Sequence, residues 1–164
     1  MPSNPSKSMH ISQYLMPGSV AVGLDAADKE SFINAVVDLL EGRSEVKDLD
    51  EVRRSVLERE WLMSTGVGKG LALPHAKTHA VSGTMAALVV TRSPIPWDAI
   101  DGEPVRLVFL LVGVPDAKSE HVKILSRISR IMNRDAVRTQ LTEATTAEEL
   151  LKTLRNAEES LLDE

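Results

Sequence analysis

At 164 residues the chain has the length of one domain with one sizeable core. It has no cysteine, which excludes disulfides, thiolate metal sites and cysteine nucleophiles, and its net charge of -5 argues against a nucleic-acid binder, which normally carries a basic patch. No run is long and apolar enough to span a bilayer, and with only 3% aromatic residues the core must come mainly from Leu, Ile, Val, Met and Ala. Residues 1–10 lack the apolar stretch of a secretory signal and read as a mobile tail on a cytoplasmic protein. Residues 19–24 alternate as a short strand. Asp25 follows as a candidate N-cap with Asp28 three residues on, and Phe32, Ile33, Val36, Val37 and Leu40 repeat at helical spacing up to Gly42. Asp48 and Glu51 resemble a capping box for a second helix with Leu49, Val52 and Val56 on one face. Arg59, seven residues after Val52, falls near that inward stripe.

The run Gly66-Val67-Gly68-Lys69-Gly70 predicts a loop, since alternating glycines are costly in a helix or a central strand. Leu71 to His75 is extended, because Pro74 biases Leu73 away from helix. Residues 84–91 and 105–112 read as buried strands, joined by a loop-like segment, Ser93 to Asp98, and a turn at Asp101-Gly102. A third helix is expected from Asp116 to about Met132, with Ile124, Leu125, Ile128, Ile131 and Met132 as its stripe and His121 joining that stripe near the first turn. A last helix starts near Thr146, where Glu149 completes another capping box. Strands mixed with helices predict an α/β fold: a mixed β-sheet flanked by helices on both sides, a three-layer sandwich. The expected organisation is a tail over 1–10, one domain over 11–157 and a C-terminal tail over 158–164.

Four histidines are available for chemistry: His10, His75, His79 and His121. His75 follows a glycine-rich loop at the end of an extended segment, a place where a rigid scaffold commonly presents reactive groups. Ser64 and Thr65 supply hydroxyl donors, Arg59 a planar guanidinium suited to phosphate, and the N-terminal turn of the third helix favours negative charge beside His121. An imidazole has a nucleophilic nitrogen at neutral pH, its ordinary pKa lying near 6.5, and phosphoryl transfer asks mainly for positioning and for donors around the phosphoryl oxygens. On residue chemistry alone the bland alternatives stay open: a solvated surface histidine at 75, a hydrogen-bonded core histidine at 121, and a surface Arg59 paired with a carboxylate. The glycine run lacks the Lys-Ser/Thr ending of a Walker loop, and Pro74 argues against a helical metal pair of His75 and His79. No metal site and no cofactor are called for.

The ordered run from Arg59 to His75, REWLMSTGVGKGLALPH, closely resembles the signature of the fructose/mannitol/nitrogen-type enzyme IIA domain of the bacterial sugar phosphotransferase system. In that family an Arg-Glu pair precedes a Ser/Thr-Gly loop leading into Gly-Ile-Ala-Ile-Pro-His. Downstream, VRLVFLLVGVPDAKSEHVKILSRISRIM is similar to the family's buried strand, short loop and His-bearing helix, and the likeness covers about residues 11–157. The resemblance implies that His75 is phosphorylated on Nε2, that His121 helps hold the phosphoryl group, that Arg59 contacts the phosphate and that Ser64 or Thr65 donates to it. It implies the carrier protein HPr, or its nitrogen-branch counterpart, as phosphoryl donor. The acceptor would be a IIB domain in a sugar system or, in the nitrogen branch, a regulatory target whose binding follows the state of His75. It implies no nucleic-acid partner and no embedding in the membrane. A single-domain format and the STGVG loop lean towards the regulatory branch. A domain of a larger transporter or regulator is a third possibility, against which the capped ends weigh. Lys69 stands where the family often has Asn and Ala76 where it often has Gly, departures that bear on partner choice.

Overall fold

The computed structural model describes residues 10–162. Two short 3-10 turns (Ile11–Tyr14, Pro17–Ser19) lead into β1 (Val20–Leu24), α1 (Lys29–Asp38) and α2 (Leu49–Leu62). Three short strands follow, β2 (Gly66–Gly68), β3 (Leu71–Ala72) and β4 (His75–Lys77), then two long ones, β5 (Met85–Ile95) and β6 (Val105–Gly113). The chain ends in α3 (Lys118–Met132), α4 (Asp135–Thr142) and α5 (Ala147–Leu162).

The continuous apolar runs of β5 and β6 place them at the centre of the sheet, where both faces are covered and alternation with polar residues is unnecessary. The sheet runs β1-β5-β6-β3-β2, with β4 also pairing β6. β1 is parallel to β5, β5 antiparallel to β6, and β3 and β4 lie one after the other along β6, both parallel to it. Successive side chains of the central strands feed opposite layers. Leu88, Leu107, Phe109 and Leu111 pack with Ile124, Ile128, Leu141, Leu150 and Leu154 from α3, α4 and α5. Val89, Val108, Leu110 and Val112 pack with Phe32, Ile33, Val36, Val52 and Val56 from α1 and α2. The mixed sheet with helices on both faces is the three-layer architecture expected from the sequence.

Local boundaries differ from expectation for identifiable reasons. The N-cap of α1 is Asp28, whose carboxylate accepts the Ser31 N–H at 2.8 Å, and Asp25 lies outside the helix. Asp48 caps α2 as expected, accepting the Glu51 N–H at 3.2 Å. Residues Ser93 and Pro94, expected in a loop, lie within β5, where the register shifts between Val90 and Ile95; a proline is tolerated at such an irregularity. The glycine run contains a strand instead of being loop throughout: β2 and β3 form a tight hairpin whose two turn residues, Lys69 (φ 58°) and Gly70 (φ 78°), are both left-handed, as a type I′ turn requires. α3 starts two residues later than Asp116, and α4 was not anticipated. α5 opens with the Glu149 N–H donating to Thr146 Oγ1 at 3.0 Å, while the Glu149 carboxylate reaches back to Thr145. Residues 158–162, expected as tail, continue α5, because the fully buried Glu158 accepts the backbone N–H groups of Ile11 and Ser12 and ties the helix to the start of the domain. Residues 1–9 of the expected N-terminal tail, and 163–164 of the C-terminal one, lie outside the described residues.

Candidate active site

His75 is the first residue of β4, paired with Leu111 at the far end of β6, so the site sits where a central strand runs out. The sequence placed it at the end of a strand; Leu73 and Pro74 interrupt the extended segment, and His75 begins a new pairing instead. Pro74 still participates, its carbonyl accepting the Leu111 N–H at 3.0 Å. The His75 side chain is partly exposed. Its Nδ1 lies 2.7 Å from the Leu73 carbonyl oxygen. A carbonyl can only accept, so Nδ1 carries the proton and Nε2 keeps a free lone pair. Burial lowers the His75 pKa, with Arg59 and Lys77 acting in the same sense, while the bond to Leu73 and the Glu60 carboxylate oppose the shift. The ring is neutral and nucleophilic at neutral pH.

α3 brings His121 to the same place. The two rings lie 5.6 Å apart between centroids and tilted by 56°. His121 is 4% exposed, and neither of its ring nitrogens has a hydrogen-bond partner among the described residues. Burial, then the neighbouring His75 and Lys77, push its pKa down to about 4. It is therefore a neutral ring with one N–H to donate and nothing yet to receive it, an arrangement uncommon for a buried polar group outside a functional site. Gly113, at the end of β6, makes room for it: a Cβ there would lie 3.3 Å from His121 Nδ1.

Arg59 is one position off the buried stripe of α2, which runs Val52, Val56, Glu60. It lies beside the inward stripe, at its edge: its side chain is partly exposed, donates from Nη1 to the Met63 carbonyl at 3.0 Å, and acts on His75 through its charge. The hydroxyls of Ser64 and Thr65 already have acceptors. Ser64 Oγ donates to the Trp97 carbonyl at 3.0 Å and accepts the Gly66 N–H at 3.1 Å. Thr65, 4% exposed, gives both its hydroxyl and its N–H to Glu60. The structure thus brings His75 and His121 together within the field of Arg59, and places Ser64 and Thr65 in the supporting wall of the loop.

Glu60 and Lys29 were not read from the sequence as site residues. Glu60 is 2% exposed and pairs with Lys29 Nζ at 2.9 Å. A signal was available, because a carboxylate four residues after Val56 and eight after Val52 occupies the apolar stripe of its helix. Among the described residues no group of three His, Asp or Glu side chains is placed to hold a metal, and no helix is long and apolar enough to cross a membrane. Trp61, Leu62 and Met63, which follow Glu60 in sequence, and Val122, which follows His121, are exposed apolar residues.

Comparison with known proteins bears on this geometry. Residues 13–157 match the family described as phosphoenolpyruvate-dependent sugar phosphotransferase system, EIIA 2. The chain is 32% identical over 136 residues to the fructose-specific EIIABC component of Bacillus subtilis, which covers 83% of this chain but only 21% of that protein. It therefore spans about a fifth of that relative. It is 31% identical over 142 residues to the nitrogen regulatory protein of Pseudomonas aeruginosa, covering 87% of this chain and 92% of the relative. Among solved structures, nitrogen regulatory protein IIA-Ntr from Neisseria meningitidis superposes with a TM-score of 0.82 at 30% identity, covering 88% of this chain and 98% of that one.

Proposed function

Starting from a chain that belongs to the EIIA 2 family of the phosphoenolpyruvate-dependent sugar phosphotransferase system, we propose that it carries a phosphoryl group on His75 Nε2. The observation that carries the reading is the 2.7 Å contact of Nδ1 with the Leu73 carbonyl, which leaves Nε2 as the nucleophile. The Nε2 lone pair attacks the phosphorus of a donor phosphohistidine on HPr or its nitrogen-type counterpart. The donor's N–P bond breaks as the new one forms, and the donor imidazole leaves with the electron pair. The proton stays on His75 Nδ1, hydrogen-bonded to the Leu73 carbonyl, whose oxygen stabilises the positive charge that the ring acquires.

His121 donates its unpartnered N–H to a phosphoryl oxygen, and Arg59 faces the group with its guanidinium. Ser64, partly exposed, joins by exchanging the Trp97 carbonyl for a phosphoryl oxygen; Thr65 is held more tightly, by two bonds to Glu60. Onward transfer reverses the step, with a IIB-type partner as acceptor in the cytoplasm. The name of the Bacillus relative joins EIIA to B and C components, which supports such an acceptor.

A second reading is favoured by a specific observation: two nitrogen regulatory proteins that this chain spans over 92% and 98% of their length are 31% and 30% identical to it, whereas the mannitol IIA of Escherichia coli, spanned over 98%, is 22% identical. In that reading the charge state of His75 switches binding to a target protein, and no sugar is involved.

The test is incubation of the wild type and of His75→Gln with phosphoenolpyruvate, enzyme I and HPr, or their nitrogen-type counterparts, read by intact mass. Addition of one phosphoryl mass to the wild type alone is expected. A folded wild type that gains none from either donor set overturns the carrier reading. Discharge of the labelled protein by IIB domains then separates relay from regulation.

A further inference from the structure

The hydrogen bonds behind His75 form a line that ends on a buried ion pair. His75 Nδ1–H donates to the Leu73 carbonyl at 2.7 Å. Leu73 N–H donates to the Thr65 carbonyl at 3.0 Å. Thr65 N–H donates to Glu60 Oε2 at 2.7 Å, and its hydroxyl donates to the other carboxylate oxygen. Lys29 Nζ closes the line, 2.9 Å from Glu60 Oε2 and 3.3 Å from the Trp97 carbonyl. Each amide in the line donates towards the carboxylate.

The Leu73 carbonyl belongs to the amide of Pro74, which has no N–H and so cannot join a ladder as a donor. What orients that carbonyl towards the imidazole is the position of Leu73, and Leu73 is held to the loop by its one N–H bond to Thr65. The loop at Thr65 is in turn clamped to α2 by a bidentate carboxylate. Charge-assisted bonds of this kind are roughly twice as strong as neutral ones.

A carboxylate buried to 2% exposure is costly to keep unless it is paired and hydrogen-bonded, and for folding alone an apolar residue in that stripe position packs as well. We propose that Glu60 is a positioning residue: through Thr65 and Leu73 it holds His75 in the Nδ1–H tautomer, with Nε2 presented for phosphoryl transfer, and Lys29 fixes the carboxylate that does so. This rests on the reading of His75 as the phosphoryl acceptor. The electrostatics agree in sign, since the Glu60 carboxylate opposes the lowering of the His75 pKa by burial. The other charged and titratable groups facing His75 are Arg59 on α2, Lys77 on β4 and His121 on α3, and all three remain when Glu60 is changed.

The experiment uses Glu60→Gln, which keeps the volume and leaves one oxygen to accept the Thr65 N–H. In protein with ¹⁵N-labelled histidine, the ring nitrogens of His75 report the tautomer and the pKa. Glu60→Gln is expected to mix the two tautomers, to lower the His75 pKa, to slow phosphorylation by about ten- to a hundredfold, and to move the acidic limb of the pH–rate profile to lower pH. A folded Glu60→Gln protein with the wild-type tautomer and rate overturns the proposal.

Should Glu60→Gln fail to fold, Thr65→Val removes one of the two bonds while the Lys29–Glu60 pair stays, and Thr65→Ser restores it. A several-fold loss in the valine variant with recovery in the serine variant supports the proposal, and equal behaviour of valine variant and wild type refutes it. The tautomer measurement needs no phosphoryl donor. A wild type that takes up no phosphoryl group therefore counts against the carrier function, and an unchanged tautomer in Glu60→Gln counts against the positioning role.

Discussion

His121 shows most plainly how burial sets chemistry at one residue. A histidine in water titrates near 6.5, and this one, 4% exposed beside His75 and Lys77, is held down to about 4. Between those values the unfolded chain binds a proton that the folded protein refuses, so stability is full above about pH 6.5 and falls as the pH drops towards 4. A shift of this size corresponds to roughly 3 kcal/mol across that window. Urea denaturation at pH 7.5 and pH 5.0 is expected to show about 2 kcal/mol of that loss in the wild type and a much smaller one in His121→Gln. Equal pH dependence of the two proteins would show that His121 is not the group responsible. The same refusal of a proton keeps the ring neutral, with a single N–H, throughout the pH range in which His75 is a nucleophile.

At the scale of the element, the β2–β3 hairpin carries a cost that the sequence displays openly. Its two turn residues need positive φ, and the first is Lys69, at 58°. A lysine in this region is strained, where Asn or Gly is accommodated. The Lys69 N–H is compensated by Asp101, whose Oδ2 accepts it at 2.8 Å, so the turn forms despite the side chain. Lys69→Gly and Lys69→Asn are expected to raise stability by about 0.5–1 kcal/mol, read as a higher urea midpoint at unchanged slope. A lower midpoint would mean that the lysine side chain makes a contact worth more than the strain. Ala76, the other departure from the pattern of the family, is buried within β4, paired opposite Val112, and is not among the residues of positive φ; alanine fits there without strain.

The whole molecule is two cores divided by one sheet. Ile33 lies in the core shared with α1 and α2, and Ile128 in the core shared with α3, α4 and α5. Ile33→Val and Ile128→Val are each expected to cost about 0.5–1.5 kcal/mol, and the double variant to equal their sum within about 0.5 kcal/mol, because the sheet separates the two sites. Chemical denaturation of the four proteins checks this; a larger deviation would reveal coupling through the central strands. The site draws on both layers: α2 brings Arg59 and Glu60 from one side and α3 brings His121 from the other, to strands β4 and β6 in the middle. The stability of each half therefore bears on the geometry at His75.

The layers, the central strands and His75 as a candidate were legible in the chain, because apolar periodicity and a motif with ordered glycines and proline are local features of the sequence; that His121 would lie beside His75 was implied only by the family resemblance. Helix starts were less so: Asp25 and Asp28 are both good caps, and only the packing of Phe32 and Ile33 on the sheet selects the second. That the glycine run would contain a strand was hidden, since β2 pairs with β3, and β3 is itself held in the sheet by β6, some thirty-five residues downstream at Leu107 and Val108. The hydrogen-bond partners of Ser64, Thr65 and Glu60 were likewise decided only in three dimensions. A hydroxyl or carboxylate in a sequence has several possible partners, and folding alone decides which are within reach. By itself the sequence determined which residues are apolar at which spacing and which carry imidazole, guanidinium, hydroxyl and carboxylate groups. The tertiary structure decided where buried charge is paired and which nitrogen of His75 is left free, because both depend on atoms brought together from distant parts of the chain.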